Sequence, residues 1–187
     1  MSNSNKNEAA LPTLDEMKAL VRLVIWTALI AVGGWLSFPV PFFGGVPLSL
    51  QTFFVILCGL VEGPRLGALA AGLYLLAGFL GLPVFTGGLA GPAILLRPSA
   101  GFALAFPLGA FLAGLASRKR GKYSFIKAFV CCALGSLAIL AGGFLGLLVN
   151  TGMSTTAAAT LAVSFLPGDL AKSAAAASLS QLKTFLK

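Results

Sequence analysis

From residue 19 onward the chain alternates long apolar runs with short breaks rich in Pro, Gly or charge, and those breaks bound six runs. The first covers about 19–37 and stops at "FPVPFFGGVP", where Pro and Gly recur too often for a helix to continue. The second, about 48–61, is short and ends at "EGPR". The third opens at Pro64, a residue suited to a first helical turn, and runs to about 82. After the loop "PVFTGGLAGPAILLR" comes the fourth, 98–117, which ends in "RKRGK". The fifth spans about 124–149, and "NTGMSTTAAATLAVSFL" leads to the sixth, 167–186. Crossing a bilayer takes roughly 20 apolar residues, so the pattern predicts an all-α membrane protein with six transmembrane helices. It forms one domain over 1–187, with 1–18 as a short tail.

Composition agrees. The chain is 58% hydrophobic and only 10% charged, whereas a soluble domain carries roughly 25% charged residues to keep its exterior wet. The net charge of +8 first suggests nucleic acid, but the positions of the charges suggest otherwise. With both termini cytoplasmic, Lys6, Lys18, Arg22, Arg65, Arg118, Lys119, Arg120, Lys122, Lys127, Lys183 and Lys187 all fall on the inner side, as the positive-inside rule requires. This accounts for the basic balance without any nucleic acid, and predicts a multi-pass membrane protein. Cys58, Cys131 and Cys132 lie inside apolar runs and the chain has no His, so neither a metal site nor a disulfide framework is expected. The polar start lacks the basic n-region and small-residue cleavage site of a signal peptide.

Three charges break the inside pattern: Arg97, Asp169 and Lys172 all map to the outer half. Asp169 and Lys172 are three residues apart, so a helix presents them on one face. Ionisable groups at membrane depth cost several kcal/mol unless they face protein interior or a polar cavity. The three outer connections, about 38–47, 83–97 and 150–166, are the longest, and a solute pocket roofed by them would accommodate all three charges. Simpler readings exist: Asp169 suits the first turn of a helix, Lys172 could snorkel outward, and Arg97 could anchor a loop at the headgroups. Gln51 and Thr52 begin the second run and could reach either the pocket or the interface. Tyr74 could stack on a flat ligand; Trp35 fits an aromatic-belt anchor better. Gly87, Gly88 and Gly91 would let backbone approach a ligand, or simply turn the chain. Small pairs four apart, among them Thr27 and Ala31, Gly67 and Ala71, and Gly142 and Gly146, permit close helix contacts.

Energising machinery is not visible. Gly121-Lys122 is followed by Tyr123 and lacks the upstream glycine of a phosphate-binding loop. Without His, and with Asp169 as the one acid outside the inner regions, an acid–base pair for enzymatic chemistry is missing as well. Uphill transport by this chain would need a partner to supply the energy.

The blocks "VPLSLQTFFVILCGLVEGPRLGALAAGLYLLAGFLGLPVF", "RPSAGF" and "FLPGDLAK" resemble, in order and spacing, the BioY family of biotin-binding S components of energy-coupling-factor (ECF) vitamin transporters. The likeness runs from the first apolar run to Lys172. It implies six helices holding biotin near the outer face of a prokaryotic cytoplasmic membrane, and a partner module of one membrane T component and two cytoplasmic ATPase subunits, with no cofactor. It places Asp169 and Lys172 in the substrate site, where a carboxylate can accept from ureido N–H groups and an ammonium can donate to an oxygen. Arg97 is the nearest cation for biotin's carboxylate, with Gln51, Tyr74, Gly87 and Gly88 as further candidates for the site. Thr27 and Ala31 stand where such proteins carry a small-residue pair for docking the T component. The chain departs from the family's usual Thr, Gly and Tyr at Ser99, Ala100 and Phe102. The function expected is biotin capture and uptake; an S component for another small anionic vitamin and a self-sufficient carrier are the alternatives.

Overall fold

A computed structural model describes residues 13–38, 45–117 and 124–185. The basic run at 118–122, Lys6, Lys187, the tail to residue 12 and the 39–44 part of the first outer connection lie outside the described residues. Eight α-helices make up most of the rest.

Helix α1 (Leu14–Trp35) starts before the predicted boundary near 19, because Thr13 and Glu16 form a capping box. The Thr13 hydroxyl accepts from the Glu16 N–H at 3.3 Å, and the Glu16 carboxylate accepts from the Thr13 N–H at 2.7 Å. After α1, a two-residue strand β1 (Ser37–Phe38) pairs antiparallel with β2 (Leu48–Ser49), a small hairpin that the apolar pattern did not predict.

Helices α2 (Gln51–Glu62) and α3 (Pro64–Phe79) are joined by Gly63 alone. Gly63 caps one helix and starts the other at φ +92°, a conformation that L side chains rarely adopt, and Pro64 then sets the first turn of α3. From α3 the chain passes through a turn at 85–89 and a 3-10 segment, Pro92–Leu96, to the fourth apolar run. That run is helical but broken at Ala105 into α4 (Ala100–Leu104) and α5 (Phe106–Gly114). Pro107, which has no N–H to give the preceding turn, accounts for the break.

Helix α6 (Phe125–Thr151) is the longest and stops where Gly152 turns left-handed. The segment 150–166, expected to be a connection, holds a further helix α7 (Thr155–Ser164), whose first turn is capped by the Ser154 hydroxyl accepting from Ala157 N–H. A break at Phe165, two residues before Pro167, separates it from α8 (Leu166–Phe185). The fourth run uses the same device.

All six predicted runs are therefore helical. By length and composition α1 and α6 each suffice to cross a membrane. Helix α5 sits at the centre, packed on α2, α3 and α6, and α8 packs on α6 and α2. Where α2, α3 and α5 meet, a methyl group on Gly59 would strike the Ala110 carbonyl, and one on Gly67 would lie 2.6 Å from the Gly59 Cα. Gly142 and Gly146 let α6 approach Gly101 of α4 in the same way. Large apolar side chains on the outer faces, such as Val24, Leu76, Ile126, Leu145 and Val149, are exposed, the arrangement expected where lipid is the solvent.

The turns gather at two ends. At one end Glu62 of the α2–α3 corner accepts from the Trp26 indole at 3.0 Å and pairs with Arg22 at 3.4 Å, and Gly63 lies beside Ser117. At the other, the hairpin, the 83–97 loop, the last turn of α6 and the start of α8 come together.

Candidate ligand-binding site

The second end encloses a cavity of about 50 Å³. Five parts of the chain wall it. The hairpin side supplies Val46, Pro47 and Ser49; α2 and α3 supply Gln51 and Tyr74; the 83–97 loop supplies Phe85 and Thr86; the fourth run supplies Phe102 and Phe106; and α8 with its break supplies Phe165, Asp169 and Lys172. Periodicity explains part of this. Phe165, Asp169 and Lys172 are spaced i, i+4, i+7, which aligns them on one helix face, and Phe102 and Phe106 are spaced i, i+4.

Asp169 and Lys172 meet as the spacing requires. The Lys172 ammonium donates to Asp169 Oδ1 at 3.1 Å, and their side chains are 20% and 6% exposed for Lys172 and Asp169 respectively. The α8 backbone is held below them: Ser173 Oγ donates to the Asp169 carbonyl at 2.8 Å and shares a 3.2 Å hydrogen bond with Ser136 of α6. A buried pair of this kind is costly to create and is kept where it fixes geometry or meets a ligand. Its position on a cavity wall makes the ligand role available. The carboxylate can accept from N–H groups and the ammonium can donate to an oxygen.

Gln51 faces the same space. Its Nε2 donates to the Tyr74 hydroxyl at 2.6 Å and its Oε1 accepts from Thr86 Oγ1 at 2.8 Å, so α2, α3 and the outer loop are joined through one amide. Tyr74 does not offer a free ring face for stacking. Its ring packs against Phe85, edge-on with centroids 5.6 Å apart, and against Phe106, leaving the hydroxyl as its functional end. Aromatic walls come instead from Phe85, Phe102, Phe106 and Phe165.

Arg97 and Gly87 do not reach this inner cavity. Both line a more open space of about 640 Å³ farther out, with Trp35, Leu89 and Ser99. The two spaces share Val46, Pro47, Thr86 and Ser99 as a common partition. Arg97 is exposed, and its backbone is fixed by Asn150 at the end of α6, whose Nδ2 donates to the Leu95 and Arg97 carbonyls at 2.8 Å each. Gly87 and Gly88 have φ of +75° and +74° with open space where a Cβ would stand, so a tight turn, not close packing, accounts for them. Trp35 is exposed and its indole N–H donates to the Pro83 carbonyl at 2.9 Å, tying α1 to the loop.

Thr27 and Ala31 face into the chain. The Thr27 hydroxyl donates to the Ala70 carbonyl of α3 at 3.2 Å, and Ala31 is buried in the core. The exposed side of α1 beside them is formed by Val21, Val24, Ile25, Ala28 and Val32.

Sequence reasoning missed Thr86 and the four phenylalanine walls. Thr86 lies in a loop without periodicity. The i, i+4 spacing of Phe102 and Phe106, and of Phe165 and Asp169, was the available signal for three of the aromatics. Among the described residues no group of three metal-ligating side chains occurs.

A BioY family model matches residues 3–185. The chain is 40% identical over 124 residues to the biotin transporter BioY of Thermotoga maritima, covering 66% of this chain and 72% of that one. It is 34% identical over 170 residues to the biotin transporter BioY of Rhizobium etli, covering 87% and 90%. Among solved structures, the S-component for biotin from an ECF-type ABC transporter matches with a TM-score of 0.82 and 25% identity over 94% of this chain and 95% of that one.

Proposed function

Since the chain belongs to the BioY family, we propose that it captures biotin and delivers it across the membrane as the substrate-specific S component of an ATP-driven ECF transporter. It is not an enzyme. The observation that carries the reading to particular residues is the Asp169–Lys172 pair, buried on the wall of a phenylalanine-lined cavity at the end of the fold where the loops gather.

Biotin's cyclic urea supplies two N–H donors and one oxygen acceptor on a compact apolar ring system. Asp169 matches the donors, Lys172 the acceptor, and the phenylalanines the ring carbons and sulfur. The valerate tail then extends past the partition into the outer space, where Arg97 and Gly87 wait and the Arg97 guanidinium pairs with the carboxylate. Small-molecule pockets usually measure about 300–1,000 Å³, so the inner cavity must widen to take the ring, and the partition of Val46, Pro47 and Thr86 is the part that yields.

In this reading residues 1–187 form one six-span domain in the cytoplasmic membrane with both termini inside, which puts the site on the outer side. The energising partners are one T component and two cytoplasmic ATPase subunits. The T component meets the exposed stripe of α1 beside Thr27 and Ala31, because those two side chains are already engaged within the chain.

Reconstituted uptake tests the assignment. Vesicles holding this chain with the T component and ATPases should accumulate labelled biotin when ATP is supplied, and unlabelled biotin should compete where other anionic vitamins do not. Equal uptake by the chain alone without ATP would make it a self-sufficient carrier. Competition by a different vitamin would reassign the ligand.

A further inference from the structure

The hydrogen bonds at Gln51 have a direction, and that direction bears on which ligand atom the cavity accepts. The Gln51 amide is used at both ends: Oε1 receives the Thr86 hydroxyl proton at 2.8 Å, which leaves Nε2 to face Tyr74, and Nε2–H donates to the phenol oxygen at 2.6 Å. Because the phenol oxygen is the acceptor in that bond, the Tyr74 proton is not spent on Gln51. Among the described residues no other hydrogen-bond partner of the Tyr74 hydroxyl is found. Tyr74 and Gln51 are 1% and 4% exposed, and both line the same cavity as Asp169 and Lys172. A phenol proton buried at a cavity wall without an acceptor is costly until a ligand supplies one.

We infer that Thr86, Gln51 and Tyr74 form a polarity-setting chain that presents the Tyr74 O–H to the ligand as a neutral donor, making the site specific for a carbonyl oxygen at that point. The inference rests on the biotin reading, in which that oxygen is the urea carbonyl. Its two lone pairs then meet Lys172 and Tyr74, while the ring N–H groups meet Asp169. Gln51 and Thr86 act as positioning residues, since neither needs to touch the ligand. The 83–97 loop thereby becomes part of ligand selection: Thr86 sits on the partition that must move for entry, so the donor is correctly oriented only with the loop in place.

The test compares biotin with 2-iminobiotin, whose ring carries a protonated nitrogen in place of the carbonyl oxygen at neutral pH and so offers a donor where biotin offers an acceptor. Binding is measured by calorimetry on the detergent-purified full chain. Tyr74→Phe should weaken biotin by about five- to tenfold, the value of one neutral hydrogen bond, and change 2-iminobiotin by less than about twofold. Gln51→Glu offers the phenol an acceptor in place of the amide donor and so captures the Tyr74 proton. It should weaken biotin to a similar degree, and adding Tyr74→Phe to it should cost nothing more. Thr86→Val should erode discrimination between the two ligands, and Thr86→Ser, which restores the hydroxyl, should recover it. If Gln51→Glu fails to fold, the Tyr74 and Thr86 variants carry the test.

Equal weakening of both ligands by Tyr74→Phe would reduce Tyr74 to a packing residue and overturn the inference while leaving biotin as the ligand. Unchanged biotin binding by a folded Gln51→Glu would show that the phenol donates to Gln51, which also overturns it. A folded wild type that binds neither ligand would overturn the biotin reading, and the inference with it.

Discussion

Asp169 and Lys172 are the residues on which the account depends most, and their burial ties stability to function in a way that can be separated. Removing Lys172 alone leaves the Asp169 carboxylate buried without its counterion, a loss of about 3–5 kcal/mol in comparable sites. Replacing both residues with neutral ones of similar volume removes that penalty. Lys172→Ala should therefore lower thermal stability sharply, while Asp169→Asn combined with Lys172→Met should recover most of it and still bind no biotin. Recovery of both stability and binding in the double variant would show the pair to be a structural device only. This pair was legible in the sequence because charge at membrane depth is rare and the i, i+3 spacing is local. Thr86 and the Phe walls were not, since they converge from loops and helices far apart in the chain. Tyr74 was singled out as well, and its ring packs against Phe85 and Phe106, contacts that the sequence did not show.

At the scale of elements, breakers and glycines account for most of the architecture. Single residues divide the apolar runs where the structure divides them: Gly63, free to take a positive φ, and Pro107 and Pro167, with φ fixed and no N–H to give. Helix α7 escaped the hydrophobic pattern because its ten residues are too few for a span and its Ala and Thr resemble a polar connection. The start of α1 escaped because Asp15 and Glu16 read as tail, although Thr13-x-x-Glu16 carries the capping-box spacing. At about 1.5 Å per residue, α2 is roughly 18 Å long, well short of a bilayer core of about 30 Å. Its first residue, Gln51, is buried on the cavity wall, beside the hairpin and the 83–97 loop. Close packing on the far side holds α2 there. Gly59→Ala pushes a methyl into the Ala110 carbonyl and should destabilise the fold by about 1–3 kcal/mol, read as an earlier thermal transition. An unchanged transition would mean that α2 and α5 can separate freely.

For the whole molecule, the charges and the fold support one orientation. The corner at Glu62 and Gly63, with Arg22 and Trp26 against it, lies at the end opposite the candidate site. In the proposed orientation, the positive-inside rule puts that corner in the cytoplasm. Single cysteines on a background with Cys58, Cys131 and Cys132 replaced can check this in intact cells. A cysteine at Ser154 should react with an impermeant maleimide added outside, and one at Ser124 only after the membrane is opened. The reverse pattern would invert the topology and put the cavity on the wrong side for capture. The whole chain's class was legible from hydropathy and charge alone; the partition between the inner and outer spaces depends on tertiary contacts and was not.

The claim that joins these scales is that the cavity beneath the loops is a biotin site built on Asp169 and Lys172. Calorimetric titration of biotin into the purified chain, beside folded Asp169→Asn and Lys172→Ala variants, tests it most directly. The account predicts saturable one-to-one binding by the wild type and a loss of at least about thirtyfold in each variant. Binding that survives both substitutions would contradict it and return the pair to a role in starting and holding α8.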